Sequence, residues 1–217
     1  MRLAIALFLA LALAAPLGAQ TRRSTVGSDD TPAVSFRPFF VGAAQQLAAK
    51  NTFKAVFGQS VQPFWGGGLQ VALGGGIYIE IGVSRFKKTG QRAFVNNGQA
   101  FPLGIPLTAT ITPVEVSGGY RFRVSPRVLP YAGAGISRYA YIETSDFADA
   151  GENVDATHTG FLVVGGVELR VHRWVGVGVD FQYTHIPGIL GSGGVSKELG
   201  ENDLGGTALR VKVLVGR

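Results

Sequence analysis

Residues 158–186, HTGFLVVGGVELRVHRWVGVGVDFQYTHI, decide what kind of structure this chain can form. Phe161, Val163, Val167, Leu169 and Val171 share one parity, while Gly166, Glu168, Arg170 and His172 take the other. After His172-Arg173 the alternation resumes: Val175, Val177, Val179, Phe181 and Tyr183 stand opposite Gly176, Gly178, Asp180, Gln182 and Thr184. A period of two argues β-strand, and the short break predicts an antiparallel hairpin. The second face is the informative one. Small residues interrupted by single charges of both signs suit the crowded interior of a narrow closed barrel, which leaves the apolar face turned toward lipid.

The same pattern recurs outward from this hairpin. Phe64–Leu73 places Trp65, Leu69, Val71 and Leu73 against Gly66, Gly68, Gln70 and Ala72, and after Gly74-Gly75-Gly76 the stretch from Ile77 sets Ile77, Ile79, Ile81 and Val83 against Tyr78, Glu80, Gly82 and Ser84. The three glycines read as a turn, because glycine reaches positive φ. A phosphate-cradling loop would have to open a helix, and a strand pattern follows instead. Thr108–Phe122 and Leu129–Glu143 are a fourth and fifth strand around a turn at Ser125-Pro126, and Leu204–Gly216 is the eighth. The first strand, SFRPFFVGAAQQL from Ser35, has Phe36, Phe39, Phe40 and Val41 on both parities, so its facing stays open, as does that of the fifth. The expected fold is all-β, an eight-stranded antiparallel up-and-down transmembrane barrel. Long loops are expected at 48–62, from Arg85 to about Leu107, at 145–155 and at 186–203, all at one end, with short turns at the other. Trp65, Phe86, Tyr120, Phe122, Tyr131, Tyr139, Tyr141, Phe161, Trp174 and Tyr183 near the segment ends are expected to form interfacial girdles.

Residues 1–19 read as a signal peptide: Arg2, an apolar run to Leu17, and Leu17-Gly18-Ala19 before Gln20. The run is shorter than the ~20 residues a spanning helix needs. Residues 20–33 are expected to be a flexible lead-in, and 34–217 a single barrel domain. There are 32 glycines in 217 residues, well above the usual ~7%, and they keep the alternation register, as close backbone approach inside a narrow barrel requires. Cysteine is absent, which excludes disulfides, cysteine-ligated metal and an N-terminal lipid-modified cysteine. The net charge of +6 comes without a basic run interleaved with aromatics, so no nucleic-acid partner is expected.

A basic residue facing lipid near the midplane costs about 2 to 4 kcal/mol, so Arg210 and Lys212, opposite Leu209, Val211, Val213 and Val215, must face the lumen. The same count places Glu80, Glu115, Glu168 and Asp180 inward against Arg121, Arg170, Arg210 and Lys212. A satisfied ion-pair network is the first reading of this lumen charge set, with a gated path for protons or small ions as the alternative; no wide pore is expected. His158, His172 and His185 lack metal-ligand spacing, and His185 is followed by Ile186-Pro187, not by the serine that outer-membrane lipid deacylases carry two residues on. No catalytic residue, metal or cofactor is expected. Asp146, Asp149, Glu152 and Asp155 read as a solvated acidic loop, with calcium as the sharper alternative. Arg85, Lys87, Lys88 and Arg92 could equally be solvated or meet lipopolysaccharide phosphates.

With the signal peptide, eight alternating strands, and small-residue text such as YAGAGISRY and FLVVGGVEL, residues 34–217 resemble the OmpA-like small outer-membrane β-barrels. The resemblance implies an integral protein of the bacterial outer membrane with a structural or surface-display role, monomeric, in contact with outer-membrane lipid and with the insertion machinery. Members commonly end in an aromatic residue read by that machinery; this chain ends VKVLVGR, and no peptidoglycan-binding domain is expected after it. The alternative is a soluble exported lipocalin-like barrel binding an apolar ligand, with the Val/Ile/Leu face turned inward.

Overall fold

The computed structural model describes residues 34–96, 99–145 and 153–216. The expected signal peptide and lead-in, and Asp146, Asp149 and Glu152 of the acidic stretch, lie outside the described residues. Among the described residues the strands are β1 (Val34–Leu47), β2 (Val61–Leu73), β3 (Ile77–Asn96), β4 (Gln99–Arg121), β5 (Val128–Thr144), β6 (Val154–His172), β7 (Val175–His185) and β8 (Gly206–Val215). Each pairs antiparallel with its sequence neighbour, and β8 pairs with β1 from Phe39↔Leu214 to Leu47↔Gly206, closing the barrel. Closure leaves no sheet edge within the wall, which hydrocarbon requires of any spanning sheet.

The alternation resolves into two different environments. Ile77, Ile79, Ile81 and Val83 on β3, Val163 and Val167 on β6, Val179 and Phe181 on β7, and Leu209, Val211 and Val213 on β8 are exposed on the outer wall, while Glu80, Glu168, Asp180, Arg210 and Lys212 between them are buried inside. This overturns the lipocalin-like alternative, which needs the uniform aliphatic face inside. The interior glycines make room for large side chains. A Cβ on Gly119 or Gly133 would stand 2.7 or 2.5 Å from the Tyr78 hydroxyl oxygen, so the two bare backbones form the floor on which Tyr78 lies.

Several sequence expectations change. β1 faces inward through Arg37, Phe39, Val41, Gln45 and Leu47, settling the strand whose aromatics fell on both parities. The stretch from Arg85 to Leu107, expected as a loop, is a continuation of β3 and β4, paired to Asn96↔Gln99 with a register shift between Gln91 and Ala93. The first long connection holds a helix, α1 (Lys50–Phe57), and the last holds a short one, α2 (Gly194–Glu198). Connections of 74–76, 122–127 and 173–174 sit at the opposite end, and Gly75 and Gly76 take φ of 80° and 96° in the first of them. Tyr131, Tyr139, Tyr141 and Phe86 do not join an interfacial girdle: all four are buried in the interior. Trp65, Phe161 and Tyr183 near the loop end, and Tyr120, Phe122 and Trp174 near the turn end, are exposed outward as expected.

Candidate functional site in the lumen

Every strand except β5 sends a charged or amide side chain into the turn-proximal half of the lumen, and β5 contributes Tyr131 and Ser137. Arg37 of β1 meets Glu168 of β6 with both guanidinium nitrogens, Nη1 to Oε2 at 2.9 Å and Nη2 to Oε1 at 2.5 Å. The fork matches the carboxylate plane, the geometry that makes such pairs strong. Gly176 supplies the space: a Cβ there would stand 2.7 Å from Glu168 Oε1 and 3.0 Å from Arg37 Nη2. Arg121 Nη1 lies 3.9 Å from Glu168 Oε2.

From this end the contacts run on without a break. Arg37 Nη1 also donates to Gln70 Oε1 (3.1 Å), and Gln70 Nε2 donates to Glu80 Oε2 (3.0 Å). Lys212 Nζ bonds both oxygens of Glu80 at 3.0 and 3.1 Å, lies 3.2 Å from Asp180 Oδ2, and sits over the rings of Phe39 and Tyr131 at 5.5 and 5.2 Å from their centroids. Asp180 accepts from Arg210 Nε at 2.6 Å and from the Tyr131 hydroxyl. Arg210 Nη1 reaches Glu115 Oε2 at 3.4 Å, and Gln182 Nε2 and Ser137 Oγ donate to Glu115 Oε1 at 2.8 and 3.3 Å. Four carboxylates and four cations are thereby matched, and removing any one strands a charge in a place where desolvation is expensive.

Seven of the eight residues singled out from sequence, Glu80, Glu115, Arg121, Glu168, Asp180, Arg210 and Lys212, stand together in this chain. Arg170 carries the inward parity but is exposed at the turn end, and Arg37 takes the fourth cationic place. Arg37, Gln70, Tyr131 and Gln182 were missed. Gln70 and Gln182 had inward parity and could have been found by counting amides with the charges; Arg37 could not, because β1 carries aromatics on both faces.

Above the network the character of the lumen changes. A cavity of about 30 Å³, lined by Gln45, Glu115, Ser117, Gln182, Arg210 and Phe64 among others, has room for about two water molecules. Beyond it an apolar cluster fills the loop-end mouth, with Phe53 of α1, Phe64, Phe86, Ile111, Tyr139, Ile186, Ile189 and Leu204 all buried. Phe64 and Phe86 lie 5.4 Å apart, and Phe57 meets Phe86 edge-on at 5.9 Å. The last connection fastens this lid. Glu201 accepts the α1 amides of Asn51 (3.0 Å) and Thr52 (2.8 Å), satisfying helix donors that have no intrahelical partner. Asp203 accepts from Ile186 N and Gly205 N, both at 2.8 Å, and meets His185 Nδ1 at 2.7 Å. His185 is thus a loop-ordering residue, and among the described residues no group of three or more His, Cys, Asp or Glu could hold a metal ion.

Residues 4–215 match the model of the outer membrane protein beta-barrel domain family. The chain belongs to that family. It is an outer-membrane barrel that crosses the bilayer with its strands and carries salt-bridged side chains buried in its lumen. Solved structures similar to this barrel include the N-terminal β-barrel domain of Pseudomonas aeruginosa OprF (11% identity, covering 84% of this chain and 97% of that one, TM-score 0.48). Neisserial surface protein A is 13% identical, with 84% and 96% covered and a TM-score of 0.49. A major outer membrane protein from Thermus thermophilus is 13% identical, with 84% and 99% covered and a TM-score of 0.45. No curated protein matches this barrel.

Proposed function

We propose that the protein is an exported, monomeric OmpA-like barrel that contributes to envelope structure and displays its long connections at the cell surface, with a lumen too filled to serve as a diffusion pore. The observation that carries this is the sequence of layers inside the wall: a charge-matched network that spans the lumen from Arg121 to Gln182, then an apolar lid held by Glu201. In this reading residues 1–19 are removed on export, 20–33 lead into the barrel, and the network stiffens the wall and does not relay ions. The wall contacts outer-membrane lipid. Arg85 and Lys87, exposed on the same face as Val83 and next along β3, extend the apolar row into the level of the lipopolysaccharide phosphates, with Lys88 and Arg92 beyond. The outer-membrane insertion machinery is the partner that assembles the barrel.

Two measurements test it. In planar bilayers the pure protein gives very low conductance; large, stable porin-like steps would overturn the filled lumen. Antibody on intact cells reaches tags inserted near Gly58 and Gly194 but not one at Gly75, and labelling of Gly75 alone would invert the orientation.

A further inference from the structure

The outward-facing cations of the wall stand on one sector of its loop end. Arg85 and Lys87 of β3 and Arg138 of β5 share the parity of Val83 and Ile136 and are exposed on the outer face. Among the described residues the outward rows of β1, β2, β7 and β8 hold no Lys or Arg. Cations that merely edged the membrane would be spread round the barrel. The register shows that these stand together at one height. Followed across all eight strands, the pairing that leaves Ser35 returns to β1 at Gln45, ten residues nearer the loop end. A row of paired residues therefore climbs by a little over one residue for each strand crossed. Arg138, two strands on from Val83 in the same row, stands at the level of Arg85, and Phe161, three strands on from Ile81, reaches that level too. Trp65 of β2 pairs directly with Arg85. The two arginines thus lie in the aromatic belt, where acyl chains give way to headgroups.

Two strand spacings and two residues separate the Cα atoms of Arg85 and Arg138, about 12 Å, with Thr112 and Val114 of β4 between them. Thr159 of β6, exposed beside Arg138, adds a second outward hydroxyl. No carboxylate answers these cations: Asp155, on the outward parity of β6, lies four residues beyond Thr159 toward the loop tips. None of the three cationic side chains has an ion-pair or hydrogen-bond partner among the described residues. On the membrane side of them Ile81, Val116 and Ile136 are all exposed and apolar. An anion between the two guanidinium groups relieves their repulsion, and guanidinium is the side chain suited to bidentate phosphate contact.

We propose that this sector of β3–β5 is a binding site for lipopolysaccharide, with the phosphates of its glycolipid base held by Arg85, Lys87 and Arg138 and the acyl chains against Ile81, Val116 and Ile136. Thr112 and Thr159 donate to phosphate or sugar oxygens. The proposal rests on the orientation given above, which puts the loop end in the outer leaflet, and it turns a general contact with lipopolysaccharide into one located site.

The test uses the full barrel in phosphatidylcholine nanodiscs containing diphosphoryl lipid A and an excess of phosphatidylglycerol, with native mass spectrometry reading the lipid that each released barrel retains. The wild type is expected to retain lipid A in preference to phosphatidylglycerol. Arg85→Gln, Lys87→Gln or Arg138→Gln alone lowers retention by at most roughly fivefold, and the three together remove it. The variant with Arg85→Lys and Arg138→Lys keeps part of it, since the charge remains and the fork is lost. Arg173→Gln, at the turn end, leaves it unchanged. Heat-dependent gel mobility checks that each variant is a folded barrel. No retention of lipid A by the wild type, phosphatidylglycerol retained in its place, or retention that survives the triple variant overturns the site. Lipid A stands in both leaflets of the disc, so retention does not depend on orientation. Absent retention with the surface tags reached as expected fails the site alone; retention with inverted tags fails the orientation, and with it lipopolysaccharide as the source of the phosphates.

Discussion

Two hairpins of this barrel, β6–β7 and β3–β4, are built from the same backbone pairing but differ in how much of that pairing their sequences announce. From Gly166 to Phe181 the strand positions are sorted, apolar toward lipid and small, polar or charged on the lumen parity, and the inward Leu162 and Val164 just before them pack on Tyr78 and Tyr131. Beyond Arg85, β3 leaves its last β2 partner and runs on with β4 for eleven residues to Asn96, roughly 36 Å of strand at about 3.3 Å per residue. There Lys87, Lys88, Thr89, Gly90 and Gln91 show no apolar row. The alternation signal therefore reports the two media on either side of a wall. Beyond the bilayer, where the outer face meets water and the inner face lies against α1, with Lys88 Nζ donating to Phe57 O at 3.3 Å, the strand persists through its hydrogen bonds and the signal disappears.

The comparison can be broken most severely from the lumen side. Glu168→Ala leaves Arg37 and Arg121 buried together without their carboxylate, and the expected loss is about 3 to 5 kcal/mol, reduced by whatever water enters the lumen. Urea unfolding in lipid measures it; a loss below about 1 kcal/mol would mean that the interior charges are solvated and the lumen open. The next effect is on the lipid side. Val179→Arg, near the middle of β7 on the outer wall, is expected to cost about 2 to 4 kcal/mol. Gln91→Arg, exposed on the β3 extension, should stay within about 0.5 kcal/mol. Equal costs at the two sites would show that they share one medium and would remove the explanation for the missing alternation. The smallest effect sharpens a third region, the lid, where neither medium sorts the residues. Glu201→Ala removes the acceptor for two α1 amides and is expected to cost about 0.5 to 2 kcal/mol, the usual worth of a helix cap. Faster hydrogen exchange at Asn51 and Thr52, with β6 and β7 unchanged, is the expected signature; exchange that rises across the whole barrel would make the lid part of the wall's cooperative unit.

Seven network residues were legible because an inward charge on an otherwise apolar strand has one affordable direction to point. Arg37 was not, since Phe36 and Phe40 face outward while Phe39 faces in, and parity alone cannot choose between them. Tyr131, Tyr139 and Tyr141 were misplaced for a related reason. An aromatic near a strand end fits either the membrane interface or a packed interior, and the choice depends on what stands across the lumen: Asp180 for Tyr131, Gln45 for Tyr139. α1 was read as loop because its eight residues are too few to form a helix alone; Phe53 in the lid and Glu201 at its first turn come from contacts more than a hundred residues apart in sequence.

By itself, then, the chain determined the strand pattern, the short-turn end, the lipid-facing rows and the signs of the charges inside, because each follows from transferring single side chains between water, lipid and a narrow interior. Closure decided the rest: which carboxylate meets which cation, the inward turn of β1, and the lid over the lumen. Those depend on partners brought across the barrel, such as Arg37 to Glu168 over 131 positions, and no local pattern carries the distance between them.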